Sequence, residues 1–144
     1  MNHYMKKKTF ILLVDDRPEN LLTLESVLSE DHREFLSATS GAEALLMCDM
    51  ESIDMILLDY KLDDMTGIEV ARSLRSKDKT QHIPIILVTA LSKRECPSLD
   101  EFAPGTMDVL FKPLDIFEAR EKVDALEQRV LQGKEMINSG NTPD

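Results

Sequence analysis

Four short apolar runs along the chain each end on a polar residue. Ile11-Leu12-Leu13-Val14 meets Asp15-Asp16, Met55-Ile56-Leu57-Leu58 meets Asp59, Ile85-Ile86-Leu87-Val88 meets Thr89, and Val109-Leu110-Phe111 meets Lys112-Pro113. Runs of this length, rich in Ile, Leu and Val, suit strands of a parallel sheet covered on both faces. Parallel strands bring their carboxyl ends to one edge, where open α/β sheets hold their ligands. Three carboxylates, a hydroxyl and an ammonium are therefore expected to meet there.

Between the runs lie segments with helical spacing. Pro18 opens the first, in which Leu21, Leu24 and Leu28 recur on one face with Val27 beside them. Phe35 to Thr39 reads as a short strand, and Ser40 can cap a helix over 41–50 whose Ala44, Leu45 and Cys48 face inward. A polar loop from Tyr60 to Gly67 leads into a helix carrying Ile68, Ala71 and Leu74. The fourth strand is expected from Pro84, where a missing amide costs least. Pro97 and Pro104 interrupt the segment from Glu95 to Gly105, so any helix there is short or distorted. A long final helix is expected from about Asp115 to Glu135. The order βαβαβαβαβα implies an α/β fold, a doubly wound five-stranded parallel sheet with right-handed crossovers.

The 144 residues suit one domain. We place a disordered leader at 1–8, the domain at 9–126, and a helical extension with a disordered tail or linker at 127–144. Composition removes several function classes. The net charge of −10, from 17 basic and 27 acidic residues, works against a nucleic-acid partner, because that affinity comes largely from Lys and Arg neutralising phosphates. No apolar stretch approaches the roughly 20 residues that span a bilayer, and residues 1–8 lack the apolar core of a signal peptide. Cys48 and Cys96 fit neither a metal spacing nor a disulfide framework, which favours a reducing cytoplasm.

Asp15, Asp16 and Asp59 would repel one another strongly in an empty cleft. A hard divalent cation with oxygen ligands suits them, and Mg²⁺ is favoured because one or two carboxylates plus waters and a phosphate commonly hold it. Lys112 adds a second positive charge for an anion arriving beside the metal. A carboxylate facing a cation, an ammonium and a hydroxyl is a candidate nucleophile able to form an aspartyl phosphate. Asp59, alone at the end of its strand, is the expected one.

At this point the chain resembles the receiver domains of two-component response regulators, over roughly Thr9 to Leu126. The resemblance rests on Asp15-Asp16, Asp59, Gly67, Thr89-Ala90 and Lys112-Pro113 in family order and at family-like separations. It implies the (βα)5 flavodoxin-like receiver fold and a phosphoacceptor switch rather than an enzyme. Asp59 would take a phosphoryl group from a histidine kinase, a phosphotransfer protein or a small phosphodonor. Asp16 and Asp59 would bind Mg²⁺ directly, Asp15 through water, and the Lys61 carbonyl would supply another ligand. Thr89 would hydrogen-bond the phosphoryl oxygen, Lys112 would pair with its charge, and the Lys112–Pro113 peptide would be cis.

Several positions depart from the family pattern. The aromatic residue usual three positions before the lysine is Val109 here, and Phe111 stands two residues further on the same strand face. Lys61 and Leu91 occupy positions that tune dephosphorylation in the family. Ile116, Val123, Val130 and Ile137 recur every seven residues, with Ala119, Leu126 and Gly133 three after the first three. That spacing suits a homodimer through the final helix from about Val123 onward, or a connection to a downstream effector. Two rivals stay open: a pseudo-receiver acting as a docking or dimerisation module, and an aspartate-nucleophile phosphohydrolase. Against the second, the residue two after the nucleophile is Lys61 where a catalytic acid would be needed.

Overall fold

The computed structural model describes residues 8–140, with side chains described through residue 134. Residues 1–7 of the expected leader, the tail at 141–144 and the side chain of Ile137 lie outside the described residues. Five strands, β1 (Thr9–Val14), β2 (Arg33–Ala38), β3 (Met55–Asp59), β4 (Ile85–Thr89) and β5 (Met107–Phe111), form one parallel sheet in the order β2-β1-β3-β4-β5. Four helices, α1 (Pro18–Leu28), α2 (Gly41–Met50), α3 (Gly67–Arg75) and α4 (Ile116–Gly140), complete the expected doubly wound architecture.

The unbroken apolar runs follow from this two-sided cover. Successive side chains of a strand point to opposite faces. Leu12, Ile56, Leu58, Ile85 and Leu87 therefore join Ala44 and Cys48 of α2 and Ile68, Ala71 and Leu74 of α3 in one core. Ile11, Leu13, Leu57, Ile86 and Val88 join Leu21, Leu24 and Leu28 of α1 and Ala119 and Val123 of α4 in the other. The helix starts carry local signals. The Ser40 side chain accepts from the Glu43 amide, and Thr66 with Glu69 makes a complete capping box.

Two expectations change in detail. The β2 and β4 boundaries shift by one or two residues, and the segment between β4 and β5 contains no helix. Ser92 and Glu95 do form reciprocal caps, a helix start, with Glu95 N–H to Ser92 Oγ at 3.2 Å and Ser92 N–H to Glu95 Oε1 at 3.0 Å. Pro97 then supplies no amide to continue it. The segment is held instead by Phe102, 7% exposed in the α2–α3 core, and by the Arg72–Glu101 ion pair.

The last helix crosses residue 126 without a break and stays docked past it. Glu127 accepts from Arg33 and Lys134 Nζ lies 3.0 Å from the Asp54 carboxylate. Ala119 and Val123, members of the seven-residue pattern, are spent on the domain's own core. Among the described residues no helix is long and apolar enough to cross a membrane.

Candidate phosphoryl-transfer site

The strand ends deliver every expected side chain to one cleft, lined among others by Asp15, Asp16, Asp59, Lys61, Thr89 and Lys112. Asp15 leaves β1 almost fully buried, and both of its carboxylate oxygens have fixed partners. Oδ1 accepts from the Arg17 amide at 2.9 Å and Oδ2 from the Asn20 side-chain amide at 3.1 Å. Asp59 ends β3 at 8% exposure. Lys112 Nζ lies 3.3 Å from Asp59 Oδ1 and 4.0 Å from Asp15 Oδ2. The Thr89 hydroxyl, buried at the end of β4, accepts from the Leu91 amide at 3.0 Å. The Lys112–Pro113 peptide is cis, as the resemblance implied, and the Lys112 amide donates to the Thr89 carbonyl at 2.7 Å. Phe111 pairs in register with Thr89 on the neighbouring strand.

One carboxylate oxygen each from Asp15, Asp16 and Asp59 lies within 4.8 Å of the others. At such a separation each like-charged pair costs about 3 kcal/mol for an effective dielectric near 20. Burial pushes the Asp59 carboxyl up, Lys112 opposes that rise, and Asp15 and Asp16 add to it. Three hard oxygen donors converging beside a single ammonium fit a small divalent cation that keeps part of its water shell. Mg²⁺ matches that donor set.

The loop between β3 and α3 closes as a small hairpin. Lys61 and Thr66 form an antiparallel bridge, the Leu62 amide donates to the Met65 carbonyl at 3.2 Å, and Leu62 is buried. Asp63 and Asp64 form its tip. Asp64 accepts from the Gly41 and Ala42 amides, both at 2.9 Å, and these bonds hold its carboxyl below the ordinary range. Asp63 stands against Asp16, which pushes its carboxyl up. Gly67 then admits the chain back under the site: its amide donates to Tyr60 O at 2.6 Å, and a Cβ there would sit 2.8 Å from Asp59 O and 3.0 Å from Leu87 Cδ2. Gly67→Ala is expected to cost about 1–3 kcal/mol through overpacking. Urea unfolding checks this, and a change under about 0.5 kcal/mol contradicts the close approach.

Asn20, Arg17 and Asp64 escaped the sequence reading as positioning residues. Only Asn20 left a signal: it sits in the first turn of a helix that begins just after the acidic pair, so its side chain can turn back to Asp15.

Comparison with known proteins agrees with this geometry. A family model described as the response regulator receiver domain matches residues 11–124. The response regulator PleD of Caulobacter vibrioides is 35% identical over 136 residues, an alignment covering 88% of this chain and 30% of PleD. The chain thus spans under a third of that relative's length. The chemotaxis protein CheY of Pseudomonas aeruginosa is 27% identical over 121 residues, covering 83% of this chain and 97% of CheY. Among solved structures, the Thermotoga maritima response regulator TrrA in complex with Mg(2+)-BeF superposes with a TM-score of 0.70 at 31% identity, covering 82% of this chain and 98% of TrrA. With the family model matching most of its length and the acidic cleft at the strand ends, the chain belongs to the response regulator receiver domains of two-component systems.

Proposed function

We propose that this receiver domain is a phosphoacceptor switch in which Asp59 takes a phosphoryl group, in a Mg²⁺-dependent reaction, from a histidine kinase, a phosphotransfer protein or a small phosphodonor. The observation that carries this reading is the Lys112 ammonium facing the Asp59 carboxylate at 3.3 Å in a cleft walled by Asp15 and Asp16. A carboxylate oxygen of Asp59 attacks phosphorus, the bond from phosphorus to the donor's leaving group breaks, and that group departs with the electron pair. Lys112 favours the ionised nucleophile and pairs with charge on the transferring group. Asp15, Asp16, Asp59 and the Lys61 carbonyl would hold Mg²⁺, which would supply further charge neutralisation; that the similar protein TrrA is in complex with Mg(2+)-BeF supports Mg²⁺ as the cation of such a cleft.

The Thr89 hydroxyl accepts from Leu91, leaving its own proton for a phosphoryl oxygen. Contact with the phosphorylated side chain then shifts the segment after β4 between two arrangements, which a partner protein or downstream effector domain reads. Both cysteines are free thiols, in keeping with a cytoplasmic location.

Incubation with Mg²⁺ and acetyl phosphate, following protein mass and released inorganic phosphate together, separates the switch from its rivals. A single adduct with release no faster than adduct decay supports it. Rapid turnover with no adduct accumulating identifies a phosphohydrolase, and neither adduct nor turnover with this donor or with a set of kinases identifies a docking module.

A further inference from the structure

Arg75, the last residue of α3, carries a cation that the fold leaves half answered. Its Nη2 donates to the Thr106 carbonyl at 3.0 Å, but Nε and Nη1 are enclosed with no hydrogen-bond partner among the described residues. Burial pushes this guanidinium down from its ordinary value, and no neighbouring carboxylate opposes that fall. Enclosed donors without acceptors carry their full desolvation cost. One turn earlier on the same helix, Arg72 holds Glu101 through two bonds, Nε to Oε2 at 2.9 Å and Nη2 to Oε1 at 3.0 Å. That pair is exposed on both sides, so water replaces it at little cost. Residues three apart on a helix stand about 5–6 Å from one another, within the swing of one glutamate side chain. Glu101 precedes Phe102, which is buried in the α2–α3 core and gives the segment between β4 and β5 a pivot. The same segment starts at Thr89, whose hydroxyl accepts from the Leu91 amide, and closes at Thr106 against Arg75.

We propose that Arg72 and Arg75 are two stations for Glu101, and that the segment between β4 and β5 moves from the first to the second when Asp59 is phosphorylated. This rests on the reading of the domain as a phosphoacceptor switch and names the contacts that differ between its two arrangements. The opposing costs keep the stations close in free energy. Leaving Arg72 gives up an exposed pair of small worth, and the desolvation of the Arg75 guanidinium has already been met by folding. Only the carboxylate must still leave water, and it gains the enclosed Nε and Nη1 donors in charge-assisted bonds. A modest bias at Thr89 then tips the balance. A hydroxyl drawn to a phosphoryl oxygen takes the Leu91 amide with it and displaces the start of the segment.

Calorimetric titration of the whole chain with beryllofluoride, a phosphoryl mimic, at saturating Mg²⁺ tests this on wild type, Arg72→Ala, Arg75→Met, Glu101→Gln, and each arginine variant combined with Glu101→Gln. Arg72→Ala removes the first station and is expected to bind the mimic about fivefold more tightly, and Arg75→Met about fivefold more weakly. With Glu101→Gln present, neither arginine change should alter the affinity. In NMR spectra the Arg75 Nε–H resonance should move when the mimic is added to wild type and stay in place in Glu101→Gln. Arg72 and Glu101 are exposed, so their variants and that resonance decide the matter if Arg75→Met does not fold. Equal affinities for wild type and Arg72→Ala, or a resonance that does not move in wild type, overturn the two stations and leave the phosphoacceptor reading intact. An Arg75→Met effect that persists with Glu101→Gln identifies a structural role and overturns them as well. No binding of the mimic by wild type overturns both readings.

Discussion

Replacing Glu127 by leucine is expected to destabilise the domain by about 3–5 kcal/mol, lowering the melting midpoint by roughly 10 °C. Arg33 at the start of β2 is buried, its side chain 3% exposed, and it spends its donors on Glu127 Oε1 and Oε2 at 2.8 and 3.1 Å, on Asp124 at 2.7 Å and on the Leu28 carbonyl at 2.7 Å. Removing Glu127 leaves a guanidinium in the interior with only the exposed Asp124 to answer it. Replacing Arg33 by methionine together with Glu127→Leu should restore most of the loss, since the pair's net contribution is small once its desolvation is counted.

The same pair sets an acid limit. Burial works against the charged Glu127, but hydrogen bonds from Arg33 and His32 outweigh it and hold the carboxyl at about 2 against an ordinary 4.5. A folded-state value below the unfolded one means stability that is complete above about 4.5 and is lost as pH falls from there through about 2. Wild type should therefore lose stability in that window more steeply than Glu127→Leu, as denaturant midpoints measured at several pH values would show. Parallel curves contradict the assignment.

Lys112→Ala is expected to slow phosphorylation by a small phosphodonor about 10²- to 10³-fold while leaving the acceptor in place. The ammonium is half-buried beside Asp59, where in the proposed reaction it faces charge that grows on the transferring group, and low local dielectric strengthens that interaction. Its removal also leaves Asp59 with burial, Asp15 and Asp16 all opposing the ionised nucleophile. The rate of adduct formation by mass spectrometry reads the effect. A rate within threefold of wild type would place Lys112 outside the reaction.

How much of this was legible in the sequence depends on what the sequence pattern encodes. Ile11 to Val14 and Ile85 to Val88 announce strands buried on both faces, because a sheet with helices on each side leaves no polar alternation. The chain direction then puts Asp15, Asp16, Asp59, Thr89 and Lys112 at one edge without further information. The Arg33–Glu127 pair was not legible, since its partners lie 94 residues apart and periodicity marks which positions are apolar, not which charge is buried. That is why the domain edge expected at residue 126 falls one residue short of an anchoring contact. The segment after Thr89 misled in a different way: Ser92 and Glu95 carry a true helix-start signal, and Pro97 cancels it two residues later. Asp64 was hidden because its partners, the first amides of α2, become neighbours only after folding.

In the proposed function Asp59, with a divalent cation, accepts the phosphoryl group. Its most direct test is the intact mass of wild type and Asp59→Asn after incubation with acetyl phosphate, with Mg²⁺ and with excess chelator. One added phosphoryl group on wild type, seen only with Mg²⁺ and absent from Asp59→Asn, is the expected result. An adduct of equal yield on Asp59→Asn, or one indifferent to the chelator, would contradict it.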